Sequence, residues 1–254
     1  MSSSEAPVPE PARPRLTVVV PAYGEGTRIG SSVAVLREVL GPDTEVLVVD
    51  DGSHDDTAAA AAAAGASVIR FPANRGKGAA VRAGMLAARG ELVVFTDADL
   101  SYPPAQVERL CAELERGADV VVGSRRHVGT RTLVRAGRLR ELSGRVFNLF
   151  TRLVLPRSFG DTQCGLKGFR HEAAQEVFAN TRVDGFAFDV EVLWLAWYRG
   201  MTIVEVPVEL DNAAGSTVRL SKDAVRMLRD LVRIRRWAAA GVYGVRAEAR
   251  GVAR

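Results

Sequence analysis

The chain has 254 residues, 47% apolar and 25% charged, a balance that supplies one large core or two small ones and excludes wholesale disorder. No run approaches the roughly 20 apolar residues that span a bilayer; "WAAAGVYGV" (237–245) is too short. The net charge of +4 is unevenly spread: nine arginines face one acid, Glu141, between Arg125 and Arg157, and seven basic residues face Asp223 and Asp230 between Arg219 and Arg236. Two basic zones suit anionic partners: phosphates, a membrane surface or nucleic acid.

"MSSSEAPVPEPARPR" (1–15) has no apolar signal segment and reads as a disordered Pro/Ser-rich tail. Strands are expected at "LTVVV" (16–20), "EVLVVD" (45–50), "ASVIRF" (66–71), "ELVVF" (91–95) and "DVVVG" (119–123). Their near-continuous apolar character predicts burial on both faces, as in a parallel sheet. Helices are expected between them, at 27–39, 55–64, 77–89 and 104–116. The alanine run 58–64 is helix, because alanine is the best helix former, and Gly65 stops it. This βαβ repetition predicts an α/β fold. After Gly123 the rhythm changes: an Arg-rich helix over 137–155, a buried helix over 188–200, a strand over 202–210 and a helix over 221–237. No linker is visible, so 125–240 is expected to pack on 16–124 as one unit, with 241–254 a flexible tail. Cys111 reads as core filling, and Cys111 and Cys164 form no disulfide framework or zinc site, which fits a reducing, cytoplasmic setting.

In open α/β sheets, ligands bind beyond the carboxyl ends of the strands. Three expected strands end in unusual polar groups: "PAYGEG", "DDGSHDDT" and "DADLSYPP". Each alone reads equally as a turn with a helix cap; together at one sheet edge they read as a site. Asp97 and Asp99 stand two residues apart, and close like charges repel unless something positive sits beside them. The pair suits Mg2+ or Mn2+, hard ions that take oxygen ligands and keep substrate phosphates as others. Such an ion neutralises a diphosphate leaving group. The alternative is an Asx-turn leading into the helix start at Pro103–Pro104. Lys77, flanked by glycines in "NRGKGAAVRAG", opens a helix, where phosphate is favoured; the alternative is a solvated lysine in a glycine turn.

"VVVPAYGEG", "VLVVDDGSHDDT", "NRGKGAAVRAGM" and "FTDADLSYPP", in this order, resemble glycosyltransferase family 2 with its GT-A fold, over about residues 16–240. The resemblance implies a mostly parallel nucleotide-binding sheet flanked by helices, with a C-terminal acceptor-side extension and an amphipathic helix. It implies an inverting transferase with a nucleotide-sugar donor. Pro21, Tyr23, Glu25, Asp50 and Asp51 would contact base and ribose, Asp97 and Ala98 the ribose and phosphate region, Lys77 the phosphates, and Asp99 with Asp97 the metal. The family's "PAYNE" is "PAYGE" here, with Gly24 for asparagine. "GSRR", "GDTQCGLKGFRHEAAQEVF" and "GFAFDVEVLWLA" resemble dolichyl-phosphate glucosyltransferases and related polyprenyl-phosphate sugar synthases, although Leu166 replaces an aromatic. By that resemblance Arg125 and Arg140 are candidates for the acceptor phosphate and donor diphosphate, with Arg145 third. Asp161, Gln163, Asp189 and Glu191 fall on the acceptor side. Asp189 and Glu191 would not share a helix face; they orient "DTQCG", contact an arginine or are structural.

A lipid monophosphate has its second pKa near about 6 and is largely dianionic at neutral pH. It then needs no general base, unlike a sugar hydroxyl. The expected activity is hexose transfer to a polyprenyl phosphate, inverting to a β-linked product, with UDP-glucose favoured as donor and GDP-mannose second. The rivals are a family 2 transferase with a soluble hydroxyl acceptor, for which Asp189 is the obvious base, and a non-catalytic nucleotide-binding or membrane-interacting protein. No nucleic-acid partner is expected. In the last expected helix, Val225, Leu228, Leu231 or Val232 and Trp237 form one stripe, and Arg226, Arg229, Arg233 and Arg236 another. A basic amphipathic helix can lie on an anionic membrane, or pack on the core with its basic face exposed. The first reading places the protein in the cytoplasm, peripheral on the inner face of the cell membrane. "RIRRW" has Arg233 where the Q-x-x-R-W of processive polysaccharide synthases has glutamine, so a processive synthase is rejected.

Overall fold

A computed structural model describes residues 13–127, 130, 151, 155, 159–210 and 220–244. Seven strands form one sheet in the order β3-β2-β1-β4-β6-β5-β7. They are β1 Leu16–Ala22, β2 Thr44–Asp50, β3 Ser67–Arg70, β4 Leu92–Phe95, β5 Val120–Ser124, β6 Lys167–Arg170 and β7 Ile203–Pro207. β1, β2, β3 and β4 run parallel, and β5 and β7 are parallel to each other; β6 is antiparallel to both β4 and β5. The helices are α1 Ile29–Leu40, α2 Thr57–Ala63, α3 Lys77–Ala87, α4 Ala105–Glu115, α5 His171–Phe178, α6 Phe188–Tyr198 and α7 Leu220–Ala239.

The alternation of side chains along each strand divides the core in two. Val19, Val49, Val93 and Phe95 face α3, α5, α6 and α7; Val18, Val20, Val48 and Val94 face α1 and α4. Both faces of the central strands are therefore covered, as their unbroken apolar runs require. Each buried Val, Leu or Phe contributes about 1.5–3 kcal/mol. In α6 every residue from Phe188 to Ala196 is buried, which is why its sequence has no polar stripe. Cys111 fills the α4 side of the core, as expected.

Two elements were not expected from sequence. β6, "KGFR", has no β-type pattern; it is a strand because it pairs with β4 on one side and β5 on the other. α5 follows it directly. In α7 the packed stripe is Met227, Leu231 and Ile234, at i, i+4 and i+7, whereas Val225 and Val232 are exposed. Of the expected stripe, Leu228, Leu231 and Trp237 do pack on the core, and Val225 lies outside it. The expected Arg-rich helix over 137–155 lies outside the described residues, apart from Thr151 and Leu155, which are both buried.

Candidate active site

In the β1–β2 ladder Ala22 pairs with Asp50, and β4 lies on the other side of β1 with Val19 opposite Phe95, so the loops after all three strands emerge at one edge. Pro21 is buried in β1, and Tyr23 beyond it is 50% exposed. Gly24 has φ +69° with open space around it. Glycine and asparagine are the residues that most readily enter that left-handed region, so glycine in place of the family's asparagine preserves the turn. The first two loops are laced together. Gly24 N donates to Ser53 Oγ at 3.0 Å, Glu25 N to Thr57 Oγ1 at 2.9 Å, and Gly26 N to Asp55 Oδ2 at 3.0 Å. Asp50 is fully buried; its Oδ1 accepts the Ser53 amide at 2.9 Å, and Oδ2 has no hydrogen-bond donor among the described residues, with Arg70 Nε 3.3 Å away. Asp51 accepts the Arg75 and Gly76 amides at 2.7 and 2.8 Å, which ties the loop before Lys77 to β2. Burial pushes its carboxyl pKa up, more than those two amides lower it.

After β4 the chain turns sharply. Leu100 N donates to Asp97 O at 3.1 Å, Asp99 Oδ1 accepts the Ser101 amide at 3.0 Å, and Leu100 sits at φ +48°. A non-glycine residue in that region is costly and typical of functional sites. Ala98 is buried, and its carbonyl accepts Ser32 Oγ at 2.7 Å. Lys77 Nζ lies 2.5 Å from Asp97 Oδ1. Burial opposes the charge on Lys77, but Asp97, Asp189 and Asp99 outweigh it and hold the lysine pKa above its usual value. Glu25 is pushed up by burial; Arg28 opposes, while Asp99, Asp55 and Asp97 add to the rise. Lys77, Glu25, Asp97 and Asp99 therefore share one electrostatic neighbourhood.

Beside this mouth, Arg125 directly follows β5. Its Nε and Nη2 donate to Asp161 Oδ2 and Oδ1 at 2.6 and 2.9 Å, and its amide donates to Oδ2 at 3.1 Å. Asp161 Oδ1 also accepts the Gln163 amide at 3.1 Å. Burial pushes the Asp161 pKa up, but the Arg125 guanidinium prevails and holds it below the usual value. Asp189 and Glu191, both in the first turn of α6, part company. Asp189 Oδ1 lies 2.5 Å from Lys167 Nζ, whose ammonium also donates to Cys164 O at 2.6 Å. Glu191 is fully buried; Oε2 accepts the Arg182 and Val183 amides at 2.9 and 2.8 Å, and Oε1 accepts the Tyr243 hydroxyl at 2.7 Å. Asp189 is thus linked to the "DTQCG" segment through Lys167, whereas Glu191 ties a loop to the turn after α7. Arg140 and Arg145 lie outside the described residues.

Lys167, Gly165 and Tyr243 were not singled out in the sequence. A lysine ordinarily marks a surface, and the single cue was its place between Leu166 and Phe169, apolar residues that are both buried.

The sheet, with its acidic, lysine-bearing edge, defines a class: transferases of the GT-A type, which handle nucleotide sugars. The profile of glycosyl transferase family 2 matches residues 17–178, and the chain belongs to that family. It is 33% identical to dolichyl-phosphate beta-glucosyltransferase of Saccharomyces cerevisiae, over 90% of this chain and 76% of that one. It is 35% identical to a dolichyl-phosphate beta-glucosyltransferase of Trichomonas vaginalis, over 94% and 76%. Glucosyl-3-phosphoglycerate synthase from Mycobacterium tuberculosis, solved with Mn2+, UDP and glucosyl-3-phosphoglycerate, has a TM-score of 0.67 at 24% identity and covers 92% of this chain and 81% of its own; it shares the fold.

Proposed function

We propose that this family 2 hexosyltransferase moves glucose from UDP-glucose to a polyprenyl phosphate, with inversion to a β-linked product. The observation that carries the reading is the group at the sheet edge: Asp97 and Asp99 in one turn, with Lys77 on Asp97. These carboxylates form an all-oxygen donor set that suits Mg2+ or Mn2+. Among the described residues no group of three or more His, Cys, Asp or Glu side chains could hold an ion, so diphosphate oxygens would complete the shell. Asp99 and Asp97 would hold the ion, whose chemistry is to neutralise the departing diphosphate.

The chain's own residues do the rest by positioning. Lys77, at the start of α3, offers its ammonium to the diphosphate. Tyr23 and Glu25 flank the base and ribose; Asp50 and Asp51, both buried, act through the loops they hold. Arg125, its guanidinium held by Asp161, is assigned to the acceptor phosphate; Arg140 and Arg145, outside the described residues, are proposed for the same role on the sequence alone. One phosphate oxygen attacks the anomeric carbon, the bond from that carbon to the diphosphate breaks, and UDP leaves. The acceptor is already dianionic, so no proton has to be removed. A hydroxyl acceptor would need a base, and Asp189 is buried with its Oδ1 committed to Lys167. That placement favours the phosphate acceptor.

The lipid has to be reached from the membrane surface. No helix among the described residues is long and apolar enough to cross a bilayer. α7 exposes Val225 and Val232 among Arg226, Arg229 and Arg236, a face suited to an anionic surface. We assign it the membrane contact, on the cytoplasmic side. The test is a panel of nucleotide sugars, with and without polyprenyl phosphate, scored for free nucleoside diphosphate. UDP release from UDP-glucose that depends on the lipid phosphate supports the reading. Release that requires GDP-mannose, or a soluble hydroxyl acceptor, overturns it.

A further inference from the structure

We propose that Lys167 is a positioning residue for glycosyl transfer: from beneath the site it anchors the Gln163–Gly165 turn that backs the Asp97 carboxylate, and so fixes where Asp97 stands beside Lys77. This rests on the reading of Asp97 as a donor-side residue. Lys167 lies on β6 directly opposite Phe95, two residues before Asp97. It is completely buried. A buried ammonium is costly unless paired, and an apolar residue of similar size would fill the space without that cost. Its bonds show what the charge holds. One goes to Asp189 Oδ1 at 2.5 Å and one to Cys164 O at 2.6 Å, while the Phe95 ring lies 5.4 Å away.

Cys164 precedes Gly165, and Gly165 lies so close to Asp97 that a Cβ there would overlap the carboxylate. On the other side of Gly165, Leu166 O accepts the Gly123 amide at 3.0 Å. The glycine is therefore held from both flanks, by a β5 amide and by the Lys167 ammonium. Asp97 is flanked on both oxygens: Lys77 is on Oδ1 and Gly165 is against Oδ2. Lys167 reaches none of the reacting groups; it acts through the peptide that forms the wall behind Asp97.

The proposal has two links, and each is tested separately. Lys167→Met combined with Asp189→Leu removes the anchor without leaving a buried unpaired charge. Gly165→Ala pushes on Asp97 without changing any charge. Binding of UDP in the presence of Mn2+ is measured by calorimetry for folded protein, together with kcat and KM for donor and acceptor. Hydrogen exchange through 161–166 is followed in ligand-free protein. The expected result is UDP affinity about tenfold or more lower in both variants, donor KM raised with acceptor KM little changed, and faster exchange in the double variant. A folded double variant that binds UDP within about twofold of the native protein overturns the proposal. If the double variant does not fold, native affinity in Gly165→Ala overturns it instead. If the native protein itself binds no UDP with Mn2+, the donor reading fails, and native exchange rates in the folded double variant then overturn the anchor separately.

Discussion

Asp99 accepts one amide of its own turn, Ser101 at 3.0 Å, and packs into no part of the core. Asp99→Ala is therefore expected to leave the melting temperature close to native, since substitutions away from cores, caps and buried pairs are usually within about ±0.5 kcal/mol. Transfer should fall by about 10²-fold or more, the scale at which charge-stabilising groups act. Excess EDTA should do the same to the native protein, and full activity of chelated enzyme would contradict the metal assignment. Asp161 is the opposite case, a buried acid with a structural partner. Its pKa is lowered in the fold, because the Arg125 guanidinium outweighs burial. A lowered carboxyl pKa contributes stability that is present above the unfolded value, about 3.9, and is lost as pH falls through the folded value. Asp161→Asn should cost about 2 kcal/mol at neutral pH, within the range for a charge-assisted bond, and the difference from native should shrink as pH falls below about 4. Urea unfolding at several pH values checks the slope; a gap that widens in acid would contradict it.

The turn after α7 is fastened by one buried bond, Tyr243 Oη to Glu191 Oε1 at 2.7 Å, within a cage of Trp194 and Trp237. The other oxygen of Glu191 holds the loop whose Asp184 carbonyl accepts the Gly78 and Ala79 amides at 2.8 and 3.3 Å, at the start of the Lys77 helix. Tyr243→Phe leaves a buried acceptor unsatisfied and should cost about 1–3 kcal/mol, read by denaturant unfolding; no change would show that water replaces the hydroxyl. The exposed face of α7 makes a second prediction. Arg233 is engaged with Asp230 at 3.1 Å and stacks on Trp237, so of the expected arginine stripe Arg226, Arg229 and Arg236 are the ones to test. Each could contribute about 1 kcal/mol on an anionic membrane. Changing these three to Glu should abolish sedimentation with anionic vesicles and leave UDP binding intact. Native vesicle affinity in the folded variant would contradict the assignment of a membrane contact to α7.

At this scale the sequence was legible where local pattern decides structure. "LTVVV", "EVLVVD" and "ELVVF" show their strands because β-branched runs buried on both faces leave little else for them to be. The acidic groups show the site because they end those runs. β6 was not legible, because a Lys-Gly-Phe-Arg segment becomes a strand only when two neighbours offer it hydrogen bonds. The Arg125–Asp161 latch joins residues 36 apart, and the role of Lys167 depends on a carbonyl and a carboxylate brought to it by two different elements. In α7 the pattern showed part of the packed face, Leu228, Leu231 and Trp237, but not that Met227 and Ile234 complete it and leave Val225 outside.

Across the whole molecule, β5, β6 and β7 complete the sheet that β1 to β4 begin, so Asp97, Asp99 and the Arg125 side of the mouth belong to one framework. The proposed function requires this framework to bring a nucleotide sugar and a lipid phosphate together at Asp97 and Asp99. The measurement that tests it most directly is product analysis. Purified protein is incubated with UDP-glucose, polyprenyl phosphate in anionic vesicles and Mn2+, and the lipid fraction is examined by NMR. The expected product is β-linked glucose on the lipid phosphate, formed one for one with UDP and absent with Asp99→Ala. UDP-glucose turnover that leaves the lipid unglycosylated, or an α-linked product, would contradict it.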